Sequence, residues 1–491
     1  MAIRIMQQIE HIVLLMLENR SLDNVSGWLY SGTKPSYIRP PDSSADFDGL
    51  IKKKFFNSYD DGIETRKLYT EYGTMKFAEP LRVPRYDPHE PFEHVTVQLF
   101  ADSTGNLPSP LTPGTPANMN GFAYDYDAGY EDWSTLHEVM GAYAPGQLNV
   151  LGTIALSFAI SDRWFSSVPT QTNPNRAFTA CGTSLGRVKN LQESAVEQFD
   201  TKTIWNALPP DTNWGLYYQD IWENDQCFTQ YTFPQINQAI GKNSEIAPLD
   251  TFIKHAEEGS LPAFSFIEPS WGYGKGIPGD GWVGKQGNDY HPPTEVGPGE
   301  AFVAKVYKAL RKSKAWQKTL FIITFDEHGG NYDHVDPGWG AVKPDKHSGP
   351  APDYFQFDRY GVRVPTIMAS PWIDPGTVFR SPSKEYPFDH TSFLSTILRW
   401  QGVEPAKAGL GNRVAVAPTF ESVLYDTMRG ETPEIEAPAG SEKAGMDVAN
   451  FKGAEGVPTG VMRMIVDTSV TIEEVEARLK LYKARGRRLP V

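Results

Sequence analysis

Short runs of apolar residues, each followed at once by polar residues, are the clearest pattern along the chain. They cover Ile9 to Leu17, Leu320 to Phe325 and Val364 to Ala369, and a further run covers Phe264 to Ile267. Continuous apolar runs of this length are typical of strands that are buried on both faces of a parallel sheet. We therefore predict that these segments are parallel strands of one sheet.

Two segments have the apolar spacing of a helix that packs one face against such a sheet. From Gly299 to Trp316, the residues Phe302, Val306 and Leu310 fall on one side of a helix, and Thr391 to Trp400 is the second segment. Strands and helices therefore alternate along the chain. This alternation predicts a three-layer α/β/α sandwich with a mostly parallel sheet.

Two long stretches lack this periodicity and are rich in proline and glycine. They run from Ser31 to Asn149 and from Pro269 to Pro298, and both also carry many aromatic residues. Their aromatic content is too high for disorder, so we predict ordered loops that lie over the active edge of the sheet.

The C-terminal part of the chain changes in composition. From Thr432 to about Pro458 it is rich in Pro, Glu, Ala and Gly, which predicts a linker or an extended wrap. Thr471 and Glu474 then have the spacing of a capping box that opens a final helix. We predict a catalytic domain over residues 1–430 and an extension over residues 431–491.

Charge and cysteine content exclude several classes of protein. A formal net charge of -14 is unsuited to wrapping a nucleic-acid backbone, which needs clustered Lys and Arg. Cys181 and Cys227 are too few for a zinc framework or a disulfide-rich scaffold. We find no apolar run of about 18 residues and no signal peptide. We expect a chain without a transmembrane segment that is cytoplasmic or exported by a signal-independent route, with membrane contact only at a surface.

Acidic and amide side chains directly follow two of the predicted strands. Glu18 and Asn19 come after the first strand, and Asp326 and Glu327 come after the strand at 320–325. The carboxyl ends of parallel strands meet at one edge of a sheet, so these side chains should lie together. An ordinary polar strand exit would explain Glu18 and Asn19 alone. Two carboxylates beside a core strand favour a metal site, and oxygen ligands suit calcium, magnesium or manganese.

The segment Thr172-Asn173-Pro174-Asn175-Arg176 reads as the beginning of a helix. Pro174 fits the first turn, and Thr172 stands where a capping residue would stand. The same position places a hydroxyl among free backbone N–H groups that favour an anion, as a phosphate-attacking nucleophile requires. Thr172 is therefore either a helix cap or a nucleophile.

Several of the ten histidines adjoin acidic residues. His291 follows Asp289 and His390 follows Asp389, in each case shortly before a predicted helix, and His334 lies in the segment after the strand at 320–325. An imidazole beside a carboxylate is suited to protonating a leaving-group oxygen. A structural role is the alternative for each one. We rank His291 and His334 first as proton donors.

Together these segments resemble a family of phosphoesterases that includes non-specific phospholipase C, phosphocholine-preferring phospholipase C and acid phosphatase A. Four sequence blocks of that family appear in order, at Glu18–Asp23, Thr172–Arg176, Asp326–Val335 and Gly361–Pro371. The segment Asp87–His94 departs from the pattern, because relatives tend to carry a histidine at a slightly different place.

The resemblance implies an alkaline-phosphatase-like α/β/α fold and one divalent metal, bound by Glu18, Asn19, Thr172, Asp326 and Glu327. Calcium, magnesium or manganese is favoured, although related folds also use zinc. The resemblance further implies that Thr172 attacks phosphorus and forms a phospho-threonine intermediate that water then hydrolyses. Four further residues are candidates for substrate binding: Asn175, Arg176, Asp289 and His390.

Three functions remain open at this point. The first is a phospholipase C that releases diacylglycerol and a phosphorylated head group. The second is an acid phosphatase acting on soluble phosphomonoesters, and the third is a non-catalytic phospholipid-binding module. Because Thr172, Asp326 and Glu327 are all present, we favour an enzyme, and we favour the lipase over the phosphatase.

Overall fold

The computed structural model describes most of the chain around one large sheet. The described residues are 6–41, 46–73, 83–84, 86–130, 136–192, 195–196, 198–277, 281–350 and 355–441. The predicted capping box at Thr471 and Glu474, with the helix that follows it, lies outside these residues.

The central sheet has nine strands among the described residues. In chain order they are β1 (His11–Leu17), β2 (Tyr37–Arg39), β3 (Ala159–Ser161), β4 (Trp214–Tyr218), β5 (Ser244–Pro248), β6 (Phe264–Ile267), β7 (Thr319–Phe325), β8 (Thr366–Ala369) and β9 (Thr377–Phe379). Their spatial order across the sheet is β5-β4-β6-β1-β7-β8-β3-β9-β2.

The sheet is parallel except for one strand. β8 is antiparallel to its two neighbours β7 and β3, and the other strand pairs of the sheet are parallel. The prediction of a parallel strand from Val364 to Ala369 was therefore wrong in direction, because an apolar run carries no information about strand polarity. The reversal places Arg363, which precedes β8, at the edge where β1 and β7 end.

Helices cover both faces of the sheet, since every residue of β7 is buried and so is every residue of β1 after the first. The helices α4 and α8 both contact α9, and α10 contacts α5, α6 and α11. The predicted α/β/α class is confirmed. The helices are α1 (Leu22–Ser26), α2 (Phe92–Phe100), α3 (Phe122–Tyr130), α4 (Asn149–Ser157), α5 (Thr172–Cys181), α6 (Ile204–Ala207), α7 (Phe228–Thr232), α8 (Leu249–Glu258), α9 (Gly297–Lys312), α10 (Thr391–Trp400) and α11 (Asn412–Val416).

The two helices predicted from spacing are present as α9 and α10. None of the described helices has both the length and the apolar character that crossing a bilayer requires. The described residues also form short strand pairs: Phe56–Asp60 with Thr65–Tyr69, Glu71–Tyr72 with Gly141–Ala142, Trp164–Phe165 with Phe388–Asp389, Leu191–Gln192 with Ala195–Val196, and Tyr273–Ile277 with Gly281–Lys285.

The stretch predicted as loops between Ser31 and Asn149 contains more regular structure than expected. It includes α2, α3 and the hairpin at 56–69, which share a second hydrophobic cluster. The polar residues Thr96 and Gln98 of α2 are buried beside its apolar ones. Buried polar positions blur the helical period, and so the pattern did not reveal α2.

The beginning of the C-terminal extension packs against α9. Arg311 Nε donates to the carbonyl of Thr432 at 3.0 Å, and the Tyr307 hydroxyl donates to the carbonyl of Pro433 at 2.7 Å. Ile435 is buried in the main core. This part of the extension is a wrap and not a free linker, while the domain boundary at residue 430 stays a prediction.

Candidate active site

Two neighbouring strands deliver acidic residues to one edge of the sheet. Glu18 and Asn19 follow β1, Asp326 and Glu327 follow β7, and all four side chains are fully buried. The backbone N–H of Asn19 donates to Asp326 Oδ1 at 3.0 Å, and the N–H of Glu327 donates to the same oxygen at 2.7 Å. The parallel register of β1 and β7 thus brings the two predicted acidic segments into contact.

The loops after β1 and β7 interlock closely around Asn19. Asn19 has a positive φ of 56°, a region that Asn enters more readily than most residues. Its carbonyl accepts a hydrogen bond of 3.1 Å from Asn331 Nδ2. Gly329 also has a positive φ, and a Cβ added there would lie 2.2 Å from the Asn19 carbonyl oxygen. Only glycine fits at this close approach.

Thr172 is the first residue of α5 and lies at the same edge. The N-cap position belongs to Gln171, so the expectation that Thr172 caps the helix is not met. The Thr172 hydroxyl instead donates to Glu18 Oε2 at 3.2 Å and lies 3.4 Å from Asn19 Oδ1. The hydroxyl is therefore buried at the N-terminus of α5 and directed at an acidic and an amide side chain, without capping the helix.

Arg176, one turn further along α5, is the cation of this group. Its Nε donates to Glu18 Oε1 at 2.8 Å and lies 3.4 Å from Asp326 Oδ2. Its Nη2 donates to the carbonyl of Leu17 at 3.0 Å. The guanidinium also lies 4.7 Å from the ring centroid of Trp271. Arg176 therefore holds the two acidic segments against each other and offsets part of their charge.

One positive charge is too little for the acids collected here. Burial raises the pKa of Glu18 well above its usual value, and repulsion from Asp326 raises it further. Burial and Asp326 raise the pKa of Glu327 in the same way, and burial and Glu327 raise the pKa of Glu90. Like charges in a buried site oppose ionisation unless a cation is bound among them.

The carboxylate oxygens of this group fit a divalent cation. Asp326 Oδ2 and Glu327 Oε1 are buried and accept no hydrogen bond from the described part of the chain. Buried carboxylate oxygens normally have hydrogen-bond partners or bind metal. With Glu18 Oε2 and Asn19 Oδ1 beside the Thr172 hydroxyl, the donors are oxygens, the ligands that hard cations prefer.

His291 reaches this site through Asn19. Its Nε2 lies 2.9 Å from Asn19 Nδ2, and its Nδ1 donates to the carbonyl of Pro292. Asp289 shapes this turn, because its Oδ1 accepts from the backbone N–H of His291 at 3.2 Å and its Oδ2 accepts from the N–H of Gly272. The structure thus gives Asp289 backbone contacts that position His291.

His334 belongs to a neighbouring cluster and not to the group around Thr172. Its Nδ1 lies 2.6 Å from Asp23 Oδ2, and its Nε2 lies 3.5 Å from Asp48 Oδ1. Burial alone would lower the pKa of His334, but these two acids outweigh it and raise the pKa to about 9. A ring held between two carboxylates keeps its proton, so His334 is a cation within its own cluster.

Two of the residues predicted to bind substrate are occupied within the chain. The Asn175 side chain exchanges hydrogen bonds with the backbone of Val168 and donates to the carbonyls of Thr170 and Gln171. It therefore shapes the loop before α5, and its predicted contact with substrate stays a prediction. His390 Nε2 donates to the backbone carbonyl of Asp326, and the predicted contact of His390 with substrate also stays a prediction.

The sequence did not single out Glu90, which the structure places beside Asn19. Glu90 Oε1 accepts a hydrogen bond from Asn19 Nδ2. The sequence also did not single out His328. Its Nδ1 lies 3.2 Å from Glu327 Oε2, and its Nε2 donates to Gln98 Oε1 at 2.8 Å. For Glu90, the sequence signal was the run of acidic residues and histidines at 87–94.

Comparison with known proteins assigns the family. The sequence profile of the Phosphoesterase family matches residues 9–404. The chain belongs to the Phosphoesterase family. Non-specific phospholipases C6 and C4 of Arabidopsis thaliana are 34% and 33% identical to it, over 88% and 87% of this chain and 74% of each relative. Phospholipase C B of Mycobacterium tuberculosis is 25% identical over 80% of this chain and 74% of its own. The prediction of a phosphoric ester hydrolase is confirmed.

Solved structures are more distant. A protein of the alkaline phosphatase superfamily from Vibrio parahaemolyticus is 12% identical with a TM-score of 0.33, covering 71% of this chain and 77% of its own. The lipoteichoic acid synthase LtaP of Listeria monocytogenes is 12% identical with a TM-score of 0.29, covering 55% and 69%. The fold assignment rests on the sheet topology described above.

Proposed function

We propose that this phosphoesterase is a phospholipase C that cleaves a glycerophospholipid to diacylglycerol and a phosphorylated head group, with Thr172 as its nucleophile. The observation that carries the proposal is the buried Thr172 hydroxyl, which is directed at Glu18 and Asn19 instead of capping its helix. The names of the relatives, phospholipases C from a plant and a bacterium, support the substrate class.

We propose that one divalent cation binds at Glu18, Asn19, Thr172, Asp326 and Glu327. When bound, it would lower the pKa of the Thr172 hydroxyl and offset negative charge on the phosphoryl oxygens. Asp326 Oδ2 and Glu327 Oε1, which accept no hydrogen bond from the described part of the chain, support this assignment. The oxygen donors favour calcium, magnesium or manganese over zinc.

The residues of the chain divide the remaining chemistry among them. Thr172 Oγ1 forms the bond to phosphorus while the bond from phosphorus to the glycerol oxygen breaks, which leaves a phospho-threonine and diacylglycerol. Water then hydrolyses the phospho-threonine and releases the phosphorylated head group. The Thr172 hydroxyl donates a hydrogen bond to Glu18 Oε2, the carboxylate to which its proton would pass on attack. His291, when protonated at Nε2, is the candidate for protonating the glycerol oxygen.

Replacing the nucleophile tests this proposal directly. Thr172→Ala should lower turnover of phosphatidylcholine vesicles and of p-nitrophenyl phosphorylcholine by roughly 10⁴-fold or more, because the covalent step is lost. The free energy of unfolding should change by less than about 1 kcal/mol, since no cap is removed. Thr172→Ser, which retains a hydroxyl, is the matched control and should keep measurable turnover.

Mass spectrometry of acid-quenched reactions adds a second measurement. A phosphorylated head group should appear on the wild-type chain and be absent from Thr172→Ala. Near-normal turnover by Thr172→Ala would show that water attacks phosphorus directly. Faster turnover of p-nitrophenyl phosphate than of the phosphorylcholine diester would instead favour the acid phosphatase alternative.

A further inference from the structure

Large hydrophobic side chains are exposed mainly in one part of the described surface. Nine such side chains are exposed on the whole described surface, and five of the nine lie between residues 51 and 72. Ile63, at the turn of the hairpin formed by the strands at 56–60 and 65–69, is the extreme case with 93% of its surface exposed. The five are Ile51, Phe56, Ile63, Tyr69 and Tyr72. Phe56 and Tyr69 are cross-strand partners in this hairpin, with 5.4 Å between their ring centroids. A group of exposed hydrophobic side chains in one element marks a binding surface more often than scattered single residues do.

Basic side chains accompany these exposed hydrophobic residues. Lys52–Lys54 and Lys67 are all exposed. The Nζ of Lys53 lies 4.8 Å from the ring centroid of Phe55, and the Nζ of Lys67 lies 4.4 Å from that of Phe56. Within the described ranges, no ion pair is formed by Lys53, Lys54 or Lys67. This patch therefore offers positive charge on a chain whose formal net charge is -14.

The acids at the hairpin turn do not cancel this charge. Arg66 pairs with Glu64 at 2.5 Å and with Asp61 at 3.5 Å, so these two carboxylates already have a cationic partner. Lys52 Nζ lies 3.8 Å from Asp48 Oδ1, and this long contact with an exposed lysine contributes little. Residues 51–72 carry five basic and four acidic side chains, so the formal charge of this segment is +1 on a chain whose net charge is -14.

The patch adjoins the edge of the sheet that carries the candidate active site. The ring of Phe55 packs on His334 with 4.0 Å between centroids, and His334 contacts Asp23 in the segment after β1. Tyr72 packs edge-on against Trp28, which follows α1, with 5.5 Å between centroids. A lipid surface at this patch would therefore lie beside the site and not on the opposite side of the molecule.

We propose that this surface, the hairpin face, docks on a phospholipid bilayer that contains anionic lipid. The hairpin face consists of Ile51–Lys54, Phe56, Ile63, Lys67, Tyr69 and Tyr72. The aliphatic and aromatic side chains enter the headgroup region, and the lysines contact anionic headgroups. Because the whole chain is acidic, the lysines also offset repulsion from such a surface. The proposal rests on the proposed function, since an enzyme that cleaves lipid must meet it at an interface.

The hydrophobic part is tested with Ile63→Asp, a change at a position too exposed to affect folding. Co-sedimentation of the full chain with vesicles of phosphatidylcholine and phosphatidylserine should fall by on the order of tenfold. Ile240→Asp, at an exposed isoleucine elsewhere, is the matched control and should bind like the wild type. Equal binding by Ile63→Asp and the wild type would overturn the proposal.

The basic part is tested with the double variant Lys53→Glu and Lys54→Glu. Binding to the same vesicles should fall by about tenfold or more, and it should depend on salt in the wild type. Lys346→Glu with Lys384→Glu reverses the same number of exposed charges elsewhere and should leave binding unchanged. Loss of binding in both double variants to the same extent would mean that overall charge, and not the hairpin face, governs binding.

Turnover separates docking from catalysis. Both hairpin-face variants should hydrolyse monomeric p-nitrophenyl phosphorylcholine like the wild type while losing activity on vesicles. A wild type that binds vesicles but cleaves neither substrate would disprove the proposed function and leave the docking result standing. A wild-type dimer that becomes monomeric in Ile63→Asp, measured by light scattering, would assign the hairpin face to a second copy of the chain and overturn the proposal.

Discussion

At the scale of single residues, His334 shows how local charge can reverse the role that a sequence motif implies. Its ring lies between Asp23 and Asp48, next to the Arg363–Asp333 ion pair. Burial opposes a charge on the ring, but the two carboxylates outweigh burial and raise the pKa of His334 to about 9. At neutral pH the ring is therefore a buried cation that holds acidic residues together.

This assignment predicts a specific dependence of stability on pH. The pKa of His334 is raised above its unfolded value of 6.5, so its contribution is complete below pH 6.5 and is lost as the pH rises through about 9. The contribution amounts to about 3 kcal/mol. Urea denaturation should show that the wild type loses this stability between pH 6.5 and 9 and that His334→Gln does not. Parallel curves for the two proteins over that range would contradict the assignment.

Asn175 shows what residue identity alone does not reveal. Its position in the second sequence block suggested substrate contact, yet its amide is engaged with the backbone of Val168, Thr170 and Gln171. The sequence identifies a residue that matters to the site, but the hydrogen-bond partners of its side chain depend on how the loop before α5 folds back. That path is set by tertiary contacts and not by the local pattern.

At the scale of elements, the loop after β7 is fixed to the loop after β1 by a glycine. Gly329 has a φ of +60°, and an added Cβ would meet the backbone of Asn19. Since Asn19 donates to Asp326 and to Glu90, displacing its backbone would disturb several site contacts at once. The position of Asn19 is thus set by close approach of two loops as well as by its own conformation.

Gly329→Ala should therefore be much more harmful than an alanine at an open glycine. Gly338 has a φ of +78° with nothing within 4 Å of an added Cβ, so Gly338→Ala carries only the conformational cost of roughly 1 kcal/mol. Gly329→Ala should cost at least about 2 kcal/mol more and lower turnover by on the order of 10²-fold. Denaturation and turnover measured together would refute this if the two variants behaved alike.

The sequence predicted the elements of the sheet well where burial dominates. β1, β6 and β7 were identified because uninterrupted apolar runs reflect burial on both faces. The direction of β8 was not predictable, because antiparallel and parallel strands that are equally buried have the same pattern. The helix α2 was missed because its buried Thr96 and Gln98 interrupt the apolar spacing.

At the scale of the whole molecule, the sheet explains which parts of the site could be predicted. Residues that follow parallel strands reach a common edge, so Glu18 and Asp326 were expected to meet although they are far apart in sequence. Glu90 precedes α2 in an insertion, and nothing in its local pattern indicated contact with Asn19. Sheet topology therefore predicts the positions of strand-end residues, whereas insertions contribute residues that only the folded chain identifies.

The final prediction concerns the stability of the whole fold with and without a divalent cation. Folding collects Glu18, Glu90, Asp326 and Glu327 in a buried space with Arg176 as their close cation. Ligand binding to the folded state alone stabilises it, by about 2.7 kcal/mol at a concentration 100 times Kd. Chelator treatment should therefore lower the Tm, and calcium, magnesium or manganese should restore it.

The difference in Tm between the cation-bound and the chelator-treated protein should depend on pH and on the acidic residues of the site. The pKa values of Glu18 and Glu327 are raised by burial and by Asp326, so a cation must displace protons and should bind more tightly as the pH rises above the usual value of 4.5. The Tm shift should grow accordingly. It should be lost in Asp326→Asn and retained in Glu257→Gln, an exposed acid on α8. A Tm that neither chelator nor cation changes, at any pH, would rule out the proposed cation site while leaving Thr172 as a nucleophile to be tested by its own variant.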